Sequence, residues 1–502
     1  MSPSPVTTSV LLQQAVALHQ QGSLAAALSL YQQVLAREPR QFDALHLAGV
    51  IARQQGDAHG AITLIAQALA IDPAQARAHC NLGAAYADLG QSACALASYD
   101  AAIALDGRYA LAHSNRGNAL RQLGRLHEAI ASYDQALRLH PASFDAACQR
   151  AIVLNDQGRH QQALDGAEHA LRLRPALVDG WAARGNALYA LGRYNDALDS
   201  FARALALGGE RAELAAWRGG AEWRLGRAGD ALASFERSLA LRPAHAGTAL
   251  RRAHALEALG RSDAAAAAFR HAQALGADAG EVQFALAALG QAPVPAAAPA
   301  AYVATLFDQY AGHFDQHLVE QLGYRTPQLI GAALAAGAGA NEGAAALASV
   351  DLGCGTGLCG AVLRPLSASL IGVDLSAAML ARARARGVYD ALVCADIGHY
   401  LATRTGAVDL IVAADVFVYI GDLDPLFALA RQALRPAGRF CFSVELATAG
   451  DFVLQVSRRY AHSHAYVARL AARHGMQIIE ASAATLRHDG GTAIHGGVYV
   501  LR

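Results

Sequence analysis

The chain contains no lysine. All 41 basic residues are arginines, matched by 41 acids, so the formal net charge is zero. The arginines are scattered rather than gathered into a tract or an aromatic-interleaved stripe, which argues against a nucleic-acid substrate. Cysteine is scarce: the seven residues have neither metal-ligand spacing nor a paired framework. That pattern excludes a disulfide scaffold and fits a reducing cytoplasm. Long apolar runs are also missing. The composition is 54% hydrophobic, but much of this is alanine, and no uninterrupted stretch is long enough to span a membrane. The start, Met1-Ser2-Pro3-Ser4-Pro5, has no charged leader region or cleavage site, so no signal peptide is expected. What remains is 502 residues of balanced charge, enough for two or more cores.

The first half is periodic. Glycines fall at 22, 56, 90, 124, 158, 192, 226 and 260, every interval being 34 residues. An alanine follows each by five positions, and an aromatic often follows four later: Tyr31, Tyr99, Tyr133, Phe201, Phe235 and Phe269. Pro39, Pro73, Pro141, Pro175 and Pro243 close many units, whereas Gly107, Gly209 and Ala277 stand where proline is expected. Physically this is a helix–turn–helix unit. Glycine permits the tight turn, the small alanine lets the two helices approach, and proline stops the second helix. The pattern resembles the tetratricopeptide repeat. Eight units are expected from about residue 8 to 279. A capping helix near Glu281–Leu289 completes an array ending at 290. The resemblance implies a superhelix whose concave groove binds a peptide or protein. Asn81 and Asn115 share one phase of the groove-lining helix, and Asn118 and Asn186 share another. Their amides suit an extended peptide backbone, or are ordinary solvated polar positions.

Residues 291–301 are rich in proline and alanine and read as an extended, semi-rigid linker. From 302 to 502 the pattern changes to alternating strands and helices, with a final antiparallel hairpin. Asp351-Leu352-Gly353-Cys354-Gly355-Thr356-Gly357 follows a predicted strand and opens a helix, and Asp374 ends the next strand. Such a unit holds an adenosine-containing cofactor. Glycines admit close backbone approach, the helix start offers free N–H groups, and the acid grips a ribose. Gly355, Gly357 and Gly360 also satisfy the dinucleotide spacing. Two further acids bear on the choice. Asp351 lies on the first strand, where dinucleotide folds carry an apolar residue, and Asp396 follows a third strand, where it could accept an adenine amino group.

The segment resembles class I S-adenosylmethionine-dependent methyltransferases. The resemblance implies an α/β Rossmann-like domain with a mostly parallel seven-stranded sheet, and S-adenosylmethionine as cofactor. Asp351, Gly353, Gly355, Gly357, Asp374, Leu375, Asp396 and Ile397 would hold it, with Asp415 at the end of strand four and Tyr310 over the pocket. The stretches 306–318, 415–423 and 459–463 resemble a narrower group of bacterial methyltransferases that carry tetratricopeptide repeats. Its members imply the architecture without fixing a substrate. Tyr310 and Phe314, four residues apart on one helix face, could roof the cofactor or pack the helix onto the sheet. No catalytic residue is obligatory, because orientation alone can drive transfer of an activated methyl group. Tyr419, Tyr460 and His462 are candidates, each with packing or structure as its alternative. His313 and His317 have the helical spacing of a metal pair, but no glutamate follows His313 and no third ligand is evident, so no metal is expected. Three functions stand open: a methyltransferase whose repeats recruit a protein substrate or partner, a small-molecule methyltransferase whose repeats serve assembly, and a non-catalytic cofactor-binding scaffold.

Overall fold

The computed structural model describes residues 7–312, 314–316, 318, 322–337, 347–489 and 491–502. It divides into two compact units, Met1–Thr248 and Ala249–Arg502. Among the described residues no helix is long and apolar enough to cross a membrane.

In the first unit, helices pair from Thr8–Gln20 and Leu24–Arg37 through Ala212–Arg224 and Ala228–Leu241. Every inter-helix glycine of the 34-residue series is left-handed, with φ from 70° to 87°. A second glycine series explains the aromatics. A Cβ at Gly83, Gly117, Gly185 or Gly219 would lie 2.4–2.7 Å from the ring of Tyr99, Tyr133, Phe201 or Phe235, respectively. The first helix of each of these repeats is notched so that the aromatic of the second can bury. An arginine series ties neighbouring repeats within this unit. Arg116 reaches back to Asp100 (2.6 Å) and forward to Ser132 (2.6 Å), and Arg184 repeats this with Glu168 (3.2 Å) and Ser200 (2.8 Å). Each guanidinium thus holds the first helix of one repeat between two second helices.

The second unit contains the mixed sheet. Its strands are β1 (Leu347–Leu352), β2 (Ser367–Asp374), β3 (Ala391–Cys394), β4 (Val408–Ala413), β5 (Leu434–Leu446), β6 (Phe452–Leu454), β7 (Tyr460–His462), β8 (Ile478–Asp489) and β9 (Thr492–Leu501). The frame runs β3-β2-β1-β4-β5 in parallel and continues through antiparallel β9 to β8. The sheet is the mostly parallel one expected, with the final hairpin in place. Among the described residues it has two strands more than seven, because β6 and β7 pair at the end of β5. Each is three residues long, too short to carry an alternation that sequence could reveal. Apolar side chains such as Val350, Ile411, Phe440 and Phe442 fill one face, and Leu370, Leu410, Val412 and Val500 the other, as a sheet covered on both sides requires.

Helices Ser262–Ala274 and Ala279–Ala288 belong to this unit too. Phe284 packs on Tyr460 and Tyr302, and Arg458 lies over the Phe269 ring and pairs with Glu257. The proline/alanine segment is extended and pinned. Ala296 O accepts from Gly421 N (2.8 Å) and Asp422 N (2.9 Å), Ala298 N donates to Tyr419 O (2.8 Å), and Ala297 bridges Ile420.

Candidate functional site

The carboxyl ends of β1–β4 meet at one edge, where a cavity of about 600 Å3 opens. Ligands of open α/β sheets sit at this edge. Asp351, Gly353, Gly355, Asp374, Leu375, Asp396, Ile397, Asp415 and Tyr310 all line the cavity. Of the proposed cofactor residues, Gly357 does not. Its N–H bonds to Cys354 O (2.8 Å), and a Cβ there would meet Tyr389 and Arg386 rather than the cavity.

Backbone N–H groups organise the acids. Gly355 N and Ser376 N each donate to Asp374 at 2.8 Å, one to each carboxylate oxygen. Burial raises the Asp374 carboxyl above its usual range, and these N–H groups oppose the rise. Asp396 caps the helix Ile397–Ala402, accepting from His399 N (3.0 Å). Asp351 is 1% exposed; its Oδ2 accepts from Tyr389 (2.6 Å), while its Oδ1 is buried with no protein partner. An orphaned carboxylate oxygen beside a cavity is costly unless a ligand donates to it. An S-adenosylmethionine fits this donor and acceptor set: acids for the ribose and adenine, an orphaned oxygen for an ammonium, and glycines that leave room.

Burial pushes Asp351 up to about 7, with the Asp374 charge adding to the rise and the Tyr389 hydrogen bond opposing it. Stability from its protonated form is full below the ordinary carboxyl range and is lost as pH rises through about 7. The melting temperature of the apoprotein should therefore fall more steeply between about pH 5 and pH 8 than that of Asp351→Asn. Parallel thermal melts of the two proteins across that range test this; equal slopes refute it.

A roof covers the cleft. The expected single helix face for Tyr310 and Phe314 is corrected: the helix Ala300–Tyr310 ends, a turn at Ala311 and Gly312 intervenes, and Phe314 opens a separate short helix. The two rings still meet edge to face at 5.5 Å, and Phe307 links Phe314 (6.0 Å) to Tyr419 (5.5 Å). Two acids that the sequence reading missed fasten this roof. Asp308 accepts from Ser376 Oγ (2.5 Å), and Asp315 binds Thr356 and Arg386.

The far end of the cavity is built differently. Asp415, at φ 55°, accepts from Ser443 Oγ (3.0 Å) and Arg487 (3.1 Å), and Arg487 also pairs with the buried Glu445. Burial lowers the proton affinity of Arg487, but the charges of Asp415 and Glu445 outweigh it and raise it. Arg487 went unnoticed in the sequence, because its two acid partners lie 72 and 42 residues away. Tyr419 lines this end, its phenol pushed up by burial against the opposing Arg459 charge.

Tyr460 and His462 do not line the cavity. The Tyr460 hydroxyl donates to Pro295 O (2.7 Å), and the His462 Nε2–H donates to Ile420 O (2.9 Å) and Gly421 O (3.1 Å). Burial lowers His462 to about 4, leaving it neutral. His313 and His317 lie outside the described residues, among which no group of three metal-ligating side chains occurs. In the repeats, Asn81 bonds to His46 (2.9 Å), Asn115 to the Cys80 sulfur (3.8 Å), and Asn118 accepts from Tyr133 (2.7 Å); Asn186 is half-buried. Those three amides each spend one bond inside the array.

Comparison with known proteins matches residues 350–442 to a methyltransferase domain family. Tetratricopeptide repeat families match residues 49–90, 76–109, 110–143 and 182–246. The biotin biosynthesis bifunctional protein BioHC of Saccharophagus degradans is 34% identical over 97 residues, 18% of this chain and 17% of that protein. The chain thus spans about a sixth of the length of that relative. Among solved structures, a tetratricopeptide repeat protein from Parabacteroides merdae is 19% identical over 47% of this chain and 93% of its own, with a TM-score of 0.39. MamA is 26% identical over 32% of this chain and 92% of its own, with a TM-score of 0.30. The chain combines tetratricopeptide repeats with a methyltransferase domain.

Proposed function

We propose that the protein transfers a methyl group from S-adenosylmethionine to an acceptor that its repeat array brings to the cleft, as a protein or a partner-bound molecule. The observation that carries the cofactor reading is the convergence of Asp351, Asp374 and Asp396 on one cavity beside Gly353 and Gly355. Asp374 would take the ribose hydroxyls, Asp396 the adenine amino group, and Asp351 the ammonium of the methionine moiety. The cofactor supplies an already activated methyl group on a sulfonium. The protein's task is to align the acceptor and exclude water. Phe307, Tyr310 and Phe314 cover the cleft, and their π-faces suit a cationic ligand.

The acceptor would enter beside Tyr419, Asp415 and Arg487. Tyr419 is a poor base at neutral pH because burial holds its proton, and the Asp415 carboxylate is engaged by Arg487 and Ser443. Orientation is accordingly the main source of rate here, and an acceptor that arrives deprotonated or neutral is favoured. Protein recruitment by the repeats rests on their number and on the half-buried asparagines Asn81, Asn115, Asn118 and Asn186. A reducing compartment suits the seven free thiols. Calorimetric titration of the whole chain with S-adenosylmethionine, S-adenosylhomocysteine and NAD tests the reading. Binding of the sulfur pair alone, in the micromolar range, is expected; binding of NAD, or of none of the three, rejects it.

A further inference from the structure

Tyr389 has no place in the cofactor reading above, yet three glycines make room for it. It follows the helix Ala377–Arg386 and precedes β3. Its ring rests in a socket. A Cβ at Gly360 would lie 2.5 Å from its hydroxyl, one at Gly357 would lie 3.0 Å from its ring, and one at Gly372 would lie 3.1 Å from it. Gly372 sits directly opposite Asp351 on the neighbouring strand. A side chain there would press on Leu392 and Cys354 as well as on the tyrosine, which reaches across β2 to the acid on β1. Gly360 thus makes room for a protein side chain rather than a ligand, and Gly357 does so in addition to its left-handed φ of 91°. The contact they permit is short: the Tyr389 hydroxyl donates to Asp351 Oδ2 at 2.6 Å. Gly353 and Gly355, by contrast, line the cavity itself.

The carboxylate has two oxygens and only one protein partner. Tyr389 takes Oδ2 and fixes the plane of the group, and Oδ1 is left buried without a partner in a residue that lines the cavity. The other titratable groups around Asp351 are Asp374, Cys354 and Cys359. Burial pushes both thiols up, so they remain protonated and neutral. Asp374 is the neighbouring acid, already held by two backbone N–H groups. No cation among these groups balances Asp351.

We propose that Tyr389 is a positioning residue for the cofactor, holding Asp351 so that its free oxygen receives the ammonium of the amino-acid moiety. The proposal rests on the S-adenosylmethionine reading. It adds that Gly357 and Gly360, with Gly372, leave the space in which the tyrosine sits.

The test is Tyr389→Phe, which keeps the ring in its socket and removes only the hydroxyl. Binding of S-adenosylhomocysteine and of methylthioadenosine is measured by calorimetry from about pH 6 to pH 8.5. Methylthioadenosine has the same adenosine but no amino-acid moiety. Tyr389→Phe should weaken S-adenosylhomocysteine roughly ten- to a hundredfold at neutral pH, the loss expected for one hydrogen bond to a charged group. Methylthioadenosine affinity should stay unchanged. The pH midpoint for S-adenosylhomocysteine should move upward, because the lost hydrogen bond favoured the ionised carboxylate. In an Asp351→Asn background, adding Tyr389→Phe should change nothing further. Equal losses for both ligands, or an unmoved midpoint, overturn the role of Tyr389 while leaving the cofactor reading intact. Failure of the unaltered protein to bind either ligand overturns both.

Discussion

Asp374→Ala should lower the affinity for S-adenosylmethionine by roughly a hundredfold or more, the cost of two hydrogen bonds to a charged acceptor. The side chain ends β2 at the cavity, and both its oxygens already accept a backbone N–H. Those bonds hold the carboxylate in one orientation, so under the proposed reading a ribose would meet a preorganised acceptor. The substitution also frees Gly355 N, so the glycine turn loses a clamp along with its ligand contact. Asp374→Asn separates the two effects. It keeps one acceptor oxygen and should recover part of the affinity, whereas a turn that merely needs any side chain at 374 would bind equally well in both variants. Calorimetry on the three proteins measures this, and unchanged affinity in Asp374→Ala would remove the basis for the cofactor assignment.

The second large effect concerns stability. Arg487→Met should cost about 3–5 kcal/mol, because removing one partner of a buried pair leaves the other charge uncompensated. Glu445 is 3% exposed and Arg487 pairs with both it and Asp415. Adding Glu445→Gln to Arg487→Met should restore a substantial share, since the amide needs no counter-charge. Denaturant unfolding of the single and double variants checks this. A double variant no more stable than the single one would mean that the loss came from packing of the arginine stem.

Much of the architecture could be read from the chain because it rests on local rules. The 34-residue glycine series requires left-handed turns wherever it falls, and the structure has them. The strands β1, β2 and β4 could be read because each is an apolar run ending in an acid or a glycine turn. What escaped was non-local. The notch glycines at 83, 117, 185 and 219 have meaning only beside aromatics sixteen residues later. Asp308 and Asp315 fasten the roof to Ser376 and Thr356, partners 68 and 41 residues away. Arg487 finds Asp415 72 residues back. Tyr460 and His462 show the opposite failure. Polar side chains in a distinctive stretch invite a chemical role, yet each is spent on a main-chain carbonyl. Only the fold says which way such a side chain faces.

The pinning of Ala296–Ala298 to the loop at Tyr419–Gly421 bears on how such a protein can be cut and joined. By composition, the proline/alanine stretch is the natural seam for exchanging one recruiting module for another. Yet these alanines form part of the cavity wall, and Pro295 anchors Tyr460. A splice at that seam would hand the recipient a cleft with a missing side. A splice upstream of Ala249 would carry the cleft whole, and the final repeat would travel with it. In recombination, natural or designed, the final repeat is inherited with the methyltransferase domain.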